Sequence, residues 1–429
     1  MFSQKGFSIY RLCLVSIFLV LFHGMPSSSS FSRRTLELMS KYPLIDGHND
    51  LALRLRMQKN SLSQINLYNY TKAATNINRL RAAHVGGQVI FAAYVMCTAQ
   101  DMDAVRLTLE QIDLIRRMCD QYPELELATT AEAMRNTTKI ACLISIEGGH
   151  SIDSSLAALR MFYVLGVRSM SLTHNCNTPW AETSSVFYSY YKREINGLTD
   201  FGKAVVDEMN RLGMLIDLSH TSLATAREVL QRSRAPIIFS HSSSYTICNH
   251  SRNVPDDILL MLKKNGGLIM VNFHNGFIAC GGQGNVSTVA NHFDHLKHVL
   301  GAEHIGIGSD YDGATGFPEG LEDVSKYPAL IAELLSRSWS EAELAGVLRL
   351  NFLRVFDKVE EVRDTLRNTP PSEVQIPFAE ANNSCRVELK PPVIPQMRND
   401  FSVHGHSPLL SVSALFWAVL PLHYLLLHW

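Results

Sequence analysis

The stretch GMLIDLSH at 213–220, followed after a helical segment by PIIFSH at 236–241, gives the clearest indication of the fold. Each run is short and apolar on both faces, and each ends in a polar residue, His220 in the first and His241 in the second. Strands that are apolar on both faces are typical of parallel sheets covered by helices. The stretch therefore predicts consecutive β/α units of an α/β protein.

Six more runs of the same kind extend this alternation along the chain. They are PLID (43–46), QVIFAAYV (88–95), ACLISIE (141–147), VRSMSLTH (167–174), GLIMVNF (267–273) and HIGIGSD (304–310). Segments with the apolar spacing of helices lie between them, such as DAVRLTLEQIDLIRRMC at 103–119. Eight strand candidates of this kind form either an open doubly wound sheet or a closed barrel.

The positions of the polar residues favour the barrel. Chemically capable side chains end nearly every run: His48, Asp50, Glu147, His174, His220, His241 and Asp310. An open sheet gathers such residues at one switch point, whereas a barrel collects them from many strands. No G-x-G-x-x-G follows the first run, so a dinucleotide-binding fold has no support. We therefore predict a (β/α)8 TIM-type barrel over 31–365, with its functional site at the C-terminal face of the strands.

These strand-end side chains have the chemistry of a zinc centre. His48 and Asp50 are two residues apart, so an extended backbone points both side chains the same way. Imidazole and carboxylate suit zinc, and His220 and His241 add two more nitrogens. Three histidines and two carboxylates, Asp50 and Glu147, exceed the four ligands that one tetrahedral ion takes, so we expect two zinc ions that share a bridging carboxylate. Glu147 is the best candidate for the bridge because its strand lies between the others.

Arg252, in the loop SRNVPDD after the sixth run, is the candidate for binding an anionic substrate. The chain as a whole is balanced, with 39 Lys plus Arg against 40 Asp plus Glu, so no nucleic-acid partner is expected. The charges of two zinc ions nearly cancel against the site carboxylates and a hydroxide, so an anionic substrate needs a cation of its own. Arg252 would grip a carboxylate in bidentate fashion. The alternative is a structural ion pair with Asp256 or Asp257.

The two ends of the chain predict secretion and a lipid anchor. Residues 1–30 have the basic start, the short apolar run and the small residues of a signal peptide. Residues 408–429 form a second apolar run with no Lys or Arg after it, behind a polar tail at 366–407. This pattern is that of a removed glycosylphosphatidylinositol (GPI) attachment signal, with Asn399 or Asp400 as the attachment residue. The mature protein is therefore expected on the extracellular face of the plasma membrane.

Glycosylation sequons and cysteines agree with an oxidising compartment. Five asparagines head N-x-S/T sequons: Asn69, Asn136, Asn249, Asn285 and Asn382. Of the eight cysteines, Cys13 leaves with the signal peptide, and the odd number that remains indicates a free thiol or an intermolecular bridge.

A family resemblance rests on a series of motifs in a fixed order. They are IDGHNDL, IEGGHSID, LTHNCNTPWAE, LIDLSH, IFSHSS, RNVPDD, IGSDYDG and EGLEDVSKYPALI. Together they resemble the membrane dipeptidase (renal dipeptidase, dehydropeptidase) family of zinc peptidases, from about residue 35 to 360. The resemblance implies one zinc ion at His48, Asp50 and Glu147. It implies a second at Glu147, His220 and His241.

The same resemblance implies an activity and its residues. Family members cleave dipeptides, including cysteinyl-glycine compounds such as leukotriene D4 and dipeptides with a C-terminal D-residue, by attack of a metal-bridging hydroxide. Arg252 would hold the substrate carboxylate, His174 would stabilise the oxyanion, and Asp310 would carry the proton to the leaving amine. Two alternatives are a catalytically silent surface receptor or adhesion protein on this fold, and a barrel hydrolase acting on another C–N or P–O bond. No predicted site residue is missing, which argues against the receptor.

The resemblance also implies how the cysteines are used. It pairs Cys97 with Cys176 and Cys248 with Cys280 at the catalytic face. Cys119 and Cys142 are expected to be buried thiols that act as small apolar residues. Cys385, in the polar tail, is expected to bridge two subunits of a disulfide-linked homodimer.

Overall fold

The computed structural model describes residues 31–58, 62–83, 88–185, 191, 196–381 and 386–387. The chain divides into two units, 1–386 and 387–429, and only Val387 of the second is described. The predicted signal peptide, Asn382, Cys385 and the predicted anchor region lie outside the described residues. Within the residues that are described, no helix is both long enough and apolar enough to cross a membrane.

Nine parallel strands form one sheet in the described part of the chain. They are β1 (Ile45–Asn49), β2 (Gln88–Tyr94), β3 (Leu125–Leu127), β4 (Ile140–Glu147), β5 (Val167–Ser171), β6 (Leu215–Asp217), β7 (Ile238–Phe239), β8 (Leu268–Val271) and β9 (Ile305–Ile307). Their order, β2-β1-β9-β8-β7-β6-β5-β4, closes on itself because β2 also pairs with β4. Eight strands thus form a closed parallel barrel, and the predicted (β/α)8 fold is confirmed.

The ninth strand, β3, was not predicted and lies outside this ring. It pairs with Ile140 to Cys142 at the start of β4, whereas β5 joins β4 only from Ile144 onward. Closing a barrel staggers neighbouring strands, which leaves the start of β4 without a partner on that side. β3 supplies that partner. Its three residues are too few for a period of two to be recognised in the sequence.

Helices connect the strands and cover the barrel. They are α1 (Arg33–Lys41), α2 (Leu51–Met57), α3 (Ile77–Ala82), α4 (Ala104–Gln121), α5 (Ala131–Asn136), α6 (Leu156–Val164), α7 (Asp200–Leu212), α8 (Leu223–Arg232), α9 (Asp256–Asn265), α10 (Asn275–Ile278), α11 (Val286–Leu300), α12 (Tyr327–Ser336), α13 (Glu341–Ala345) and α14 (Asn351–Thr365). Phe352 and Phe356 of α14 cluster with Ile45, Leu215 and Leu268 at the starts of the strands. α14 therefore closes the N-terminal end of the barrel and leaves the other end for the site.

The chain continues to pack on the barrel beyond α14. Leu366, Ile376 and Ala381 are all buried, the last two in the large core under the helices. The first part of the predicted polar tail therefore lies against the barrel.

The alternation of side chains along β4 decides where Glu147 points. Ala141 and Leu143 belong to the cluster inside the barrel, whereas Cys142 and Ile144 pack outward under the helices. A strand has a period of two, so Glu147 lies on the inward face with Ala141 and Leu143. The carboxylate is thereby aimed into the C-terminal mouth.

Four of the predicted glycosylation sites can be placed on this frame. Asn69, Asn136, Asn249 and Asn285 are all exposed, as glycan carriers have to be. Their modification stays a prediction.

Three disulfides join described cysteines. Cys97–Cys176 and Cys248–Cys280 are both present. The expectation of free thiols at Cys119 and Cys142 is wrong, because these two residues form a third disulfide. Packing of α4 on the outer face of β4 brings their Cα atoms to 6.6 Å, a separation that a disulfide spans. That separation depends on tertiary packing, which a spacing of 23 residues along the chain does not reveal.

We expect the Cys119–Cys142 bridge to stabilise the fold without serving the reaction. Cross-linking residues 23 apart restricts the unfolded chain by about 3 kcal/mol. The double variant Cys119→Ser/Cys142→Ser should therefore lose free energy of unfolding of this order and keep its kcat. Urea unfolding under non-reducing conditions measures the difference. Equal stability of variant and parent would contradict the expected stabilisation.

Candidate metal centre

Glu147 lies at the centre of four imidazoles in the C-terminal mouth of the barrel. Its Oε1 is 3.1 Å from Nε2 of His220, 3.4 Å from that of His241, 3.5 Å from that of His48 and 3.8 Å from that of His174. The first three rings are buried, and the fourth is partly exposed. One carboxylate oxygen thus meets four ring nitrogens, an arrangement suited to a ligand shared by two metal ions.

His48 and Asp50 form one half of this cluster. Nε2 of His48 is 3.1 Å from Oδ2 of Asp50, and ligand atoms of both lie within 4.8 Å of Glu147. The expected extended backbone holds only as far as Asn49, where β1 ends. The register of β1 shifts between Asp46 and Asn49, and Asp50 has φ −102° and ψ 27° as the N-cap residue of α2. An irregular strand end followed by a helix start thus places the two side chains together.

His220 and His241 form the other half. Their Nε2 atoms are 3.0 Å apart, and both face Oε1 of Glu147. Nδ1 of His220 lies 3.1 Å from Oδ1 of Asn175, and an amide oxygen only accepts, so this nitrogen carries the ring proton. Nε2 of His220 therefore presents its lone pair to the carboxylate.

The spacing of these atoms fits a metal ion. With bonds of about 2.0–2.2 Å, the ligand atoms of a tetrahedral zinc ion stand about 3.3–3.6 Å apart. The three separations among His220, His241 and Glu147 are 3.0, 3.1 and 3.4 Å. In the other half, Oδ1 of Asp50 is buried and has no hydrogen-bond partner among the described residues. Converging lone pairs and a buried carboxylate oxygen without a donor are best satisfied by cations.

The backbone is unusual at two strand ends of the site. His220 and Asp310 have φ of 72° and 66°, in the left-handed region that non-glycine residues rarely adopt. Each such residue costs on the order of 1 kcal/mol, and such strain collects at functional sites. Here the sharp turns after β6 and β9 place both side chains in the mouth.

Asp310 lies beside the cluster. Its Oδ2 accepts a hydrogen bond from Nδ2 of Asn272 at 2.9 Å, and a carboxylate oxygen lies within 4.8 Å of ring nitrogens of His48 and His241. Burial raises the pKa of Asp310 to about 7, and the neighbouring carboxylates add to the rise while His48 opposes it. Bound cations would lower that pKa again. Its position beside the cluster, rather than this pKa, suits Asp310 to proton transfer.

His174 forms one wall of the site. Its ring centroid is 4.7 Å from that of Tyr94 and 4.3 Å from that of His220. Its Nδ1 is buried and has no hydrogen-bond partner in the part of the chain that is described. Burial lowers the pKa of His174 to about 4, so the ring is neutral at physiological pH and carries one N–H. Such a ring can donate to a developing oxyanion.

Arg252 is a buried cation whose hydrogen-bond partners among the described residues are neutral. Its Nη1 donates to Oγ of Ser242 at 3.4 Å and its Nη2 to the carbonyl of His241 at 3.3 Å. Its Nε has no partner in the described ranges, and burial lowers the pKa of the guanidinium. A buried guanidinium bonded only to neutral groups is ready to bind an anion.

The alternative role predicted for Arg252 is not observed. Asp257 pairs with Arg227 at 2.6 Å, and Asp256 pairs with His295 at 2.9 Å. Both carboxylates of the loop are therefore engaged elsewhere.

Part of the cluster lines a cavity of about 770 Å³ together with Arg252, including His174 and His220. Glu147, Asp50 and Asp310 contribute acidic groups to its wall, and Arg252 and Phe277 also line it. This volume lies in the range of small-molecule sites, which combine a few placed polar groups with an enclosing wall.

Comparison with known proteins identifies the family. Residues 32–370 match the sequence profile of the family described as membrane dipeptidase, peptidase family M19. The chain belongs to the membrane dipeptidase family. It is 55% identical to mouse Dipeptidase 3 over 366 residues, which cover 85% of this chain and 74% of that protein. With human Dipeptidase 3 it shares 54% identity over 369 residues, covering 86% and 75% of the two chains.

Solved structures agree with this assignment to the membrane dipeptidases. A metallopeptidase from Rhodobacter sphaeroides, bound to a phosphinate mimic of the dipeptide L-Ala-D-Ala, is 26% identical with a TM-score of 0.67 and covers 74% of this chain and 99% of its own. The metallopeptidase dipeptidase AC, of family M19, is 26% identical with a TM-score of 0.68 and covers 74% and 98%. The chain is thus a dipeptidase, and the predicted family and enzyme class are confirmed.

Sequence reasoning missed several residues that hold this dipeptidase site in place. Asn175 orients His220, and Asn272 holds Asp310. A Cβ at Gly313 would collide with the carboxylates of Asp50 and Asp310, so only glycine lets the backbone approach them at this position. A signal was available for the two amides, since Asn175 directly follows His174 and Asn272 lies near the end of the predicted strand 267–273.

Proposed function

We propose that this chain is a two-zinc dipeptidase in which Glu147 bridges the ions. His48 and Asp50 would complete one zinc site, and His220 and His241 the other. The observation that carries the proposal is the convergence of three buried imidazoles on Oε1 of Glu147 at 3.1–3.5 Å. A nitrogen and oxygen ligand set of this kind suits zinc. The ions would supply an activated nucleophile and a Lewis acid.

The chain's own residues bind and orient the dipeptide. Arg252 holds the substrate carboxylate, which gives its buried guanidinium an anionic partner. His174, neutral and on the cavity wall, donates a hydrogen bond to the oxyanion that forms at the scissile carbonyl. Asp310 accepts the proton of the nucleophile and delivers it to the leaving amine. Binding of the free carboxylate by Arg252 limits the substrate to one residue on the C-terminal side of the scissile bond.

Arg252→Ala tests whether Arg252 binds the substrate carboxylate. The variant should raise KM for free dipeptides by about ten- to a hundredfold, since a hydrogen bond to a charged group is worth about 1.5–3 kcal/mol. Dipeptide amides lack the carboxylate, so they should be poor substrates of the parent enzyme and lose little more in the variant. Steady-state kinetics on both substrates measure the difference.

Arg354→Ala is the matched control for this experiment. Arg354 donates to the carbonyls of Gly266 and Glu303, and neither it nor these partners line the cavity. It should leave the ratio of free to amidated substrate unchanged. If Arg252→Ala impairs free and amidated dipeptides equally, Arg252 holds its loop rather than the substrate.

We propose that the substrates include dipeptides with a C-terminal D-residue and cysteinyl-glycine compounds such as leukotriene D4. The first is supported by the Rhodobacter sphaeroides relative, whose ligand mimics L-Ala-D-Ala. The cavity of about 770 Å³ leaves room for a bulky substituent on the first residue. Values of kcat/KM for Gly-D-Ala, Gly-L-Ala and cysteinyl-glycine decide this. If the enzyme hydrolyses only Gly-L-Ala among the three, neither proposed substrate class is correct.

We also propose a GPI-anchored, disulfide-linked dimer on the outer face of the plasma membrane. The support is the sequence of the two ends, together with three intrachain disulfides that leave Cys385 as the one remaining cysteine of the predicted mature chain. Phosphatidylinositol-specific phospholipase C should release the activity from cells, and Cys385→Ser should remove the dimer band from non-reducing gels. Retention of activity on the cells, or of the band, would contradict the respective assignment.

A further inference from the structure

Asp217, at the end of β6, is a buried carboxylate that has no role in the reaction described above. Its Oδ1 accepts hydrogen bonds from the backbone N–H groups of Ser219 and Ser240, each at 2.9 Å. Its Oδ2 is 2.6 Å from Oγ of Ser240, which is in turn 2.7 Å from Nδ1 of His241. All of these side chains are buried. A continuous hydrogen-bonded chain therefore runs from a carboxylate on β6 to an imidazole after β7.

The single proton of the serine hydroxyl sets the direction of this chain. Two backbone N–H groups already occupy Oδ1 of Asp217, so Oδ2 is the oxygen that accepts the hydroxyl proton of Ser240. Oγ then has only lone pairs to offer His241, and Nδ1 of that ring has to be the donor. The other ring nitrogen, Nε2, is left with its lone pair facing Glu147 at 3.4 Å.

We propose that Asp217 and Ser240 are positioning residues that hold His241 in the tautomer able to bind a metal ion. The inference rests on the proposed function in one respect, the assignment of His241 as a zinc ligand. Histidine ligands generally donate their second N–H to a carboxylate, carbonyl or water, which fixes the ring and strengthens it as a donor. Here a serine hydroxyl stands between the ring and the carboxylate. His220 differs, because its Nδ1 donates to the neutral amide of Asn175.

Asp217→Asn should reverse the donor–acceptor direction of these hydrogen bonds without changing the positions of the side chains. The two backbone N–H groups keep the amide oxygen at the position of Oδ1, so the amide nitrogen takes the position of Oδ2. That nitrogen donates to Oγ of Ser240, and the hydroxyl then donates to Nδ1 of His241. The ring proton moves to Nε2, where it blocks the metal position. Ser240→Ala removes the hydrogen bonds that link Asp217 to His241 and leaves His241 free to adopt either tautomer.

Asp46 of the same protein provides a matched control. This equally buried carboxylate also accepts a serine hydroxyl and a backbone N–H, both of Ser309, at 2.6 and 2.9 Å. In place of an imidazole it has the hydroxyl of Tyr327, which contacts Oγ of Ser309 at 3.0 Å and donates to Oδ2 of Asp46 at 2.5 Å. The backbone N–H of His48 also donates to Asp46, a bond that an Asn oxygen retains. Asp46→Asn thus removes the same charge beside a serine hydroxyl, but it cannot change the tautomer of a histidine ring.

Two measurements test the inference. Nitrogen-15 NMR of histidine-labelled, zinc-free protein reports which ring nitrogen of His241 is protonated, and competition with a chromophoric chelator gives the zinc affinity. In Asp217→Asn the ring proton of His241 should move from Nδ1 to Nε2. The affinity for the more weakly bound of the two zinc ions should fall about 10–100-fold. In Ser240→Ala the tautomers should mix and the loss of affinity should be smaller. Asp46→Asn should keep both the tautomer and the affinity of the parent.

Each other outcome has a defined meaning. An unchanged His241 tautomer in Asp217→Asn, or an equal loss of zinc in Asp217→Asn and Asp46→Asn, overturns the inference. If Asp217→Asn does not fold, Ser240→Ala decides, because a parental spectrum in that variant also overturns it. If the tautomer changes as expected while the parent enzyme binds no zinc, the proposed function fails and the positioning of His241 stands.

Discussion

Glu147→Gln is expected to remove metal from both halves of the centre and to lower kcat/KM by about a thousandfold or more. Glu147 is the one proposed ligand shared by both halves, since its Oε1 lies 3.5 Å from Nε2 of His48 and 3.1 and 3.4 Å from those of His220 and His241. An amide oxygen keeps the shape but loses the charge that two cations share. Metal-assisted charge stabilisation is worth several kcal/mol, which corresponds to a rate loss of about that size. Metal analysis of purified protein and kinetics on a free dipeptide measure both effects.

Glu208→Gln is the control for a buried carboxylate outside the site. Glu208 pairs with Arg160 at 3.0 Å and with Arg211 at 2.8 Å. Removing its charge leaves two arginines without their partner, so the variant should unfold at a lower temperature and keep its metal and its kcat. If Glu147→Gln retains two ions, the bridging assignment is wrong. If both variants lose metal equally, the loss reflects folding rather than coordination.

Asp310→Asn is expected to lower kcat by about 10²–10⁴, the usual contribution of general acid–base catalysis, with little change in KM. Asparagine is nearly isosteric, so the shape of the cavity is kept while the proton carrier is lost. Both zinc ions should remain, because Asp310 is not proposed as a ligand. Its carboxylate does lie within 4.8 Å of ring nitrogens of His48 and His241. Loss of zinc from this variant would therefore assign Asp310 to the metal instead.

Asp312→Asn is the matched control for Asp310. Asp312 is equally buried two residues away and accepts hydrogen bonds from the backbone of Ala74 and Thr75 at 2.6 and 3.1 Å. It does not line the cavity. The control should lower stability, because a loop loses its anchor, and should leave kcat within a few-fold of the parent. Equal losses of kcat in the two variants would mean that charge in this region, rather than proton transfer at Asp310, supports turnover.

The barrel and the members of the site could be predicted because both depend on local patterns. Each β/α unit repeats a short apolar run followed by a helical segment, and parallel strands bring their C-terminal ends to one face. His220 and His241 could therefore be predicted as site residues from the sequence alone. Glu147 also follows from the alternation along its strand, which carries the inward face of Ala141 and Leu143 to the mouth.

The parts that could not be predicted depend on contacts between distant segments. The irregular register at the end of β1, next to His48 and Asp50, exists only in the pairing of β1 with β2. The bridge between Cys119 and Cys142 requires α4 to pack on β4. The partner of His220 comes from a neighbouring loop, so its role depends on how the loops after β5 and β6 meet. None of these contacts leaves a periodic signal in the sequence.

Zinc titration of the metal-free enzyme tests the central claim most directly. Protein freed of metal with a chelator would receive zinc in steps, and hydrolysis of a free dipeptide would be followed at each step. We predict no activity before addition, and full activity only when close to two zinc ions per chain have bound. Full activity at one ion per chain would contradict the two-metal account, and undiminished activity of the metal-free protein would contradict metal dependence altogether.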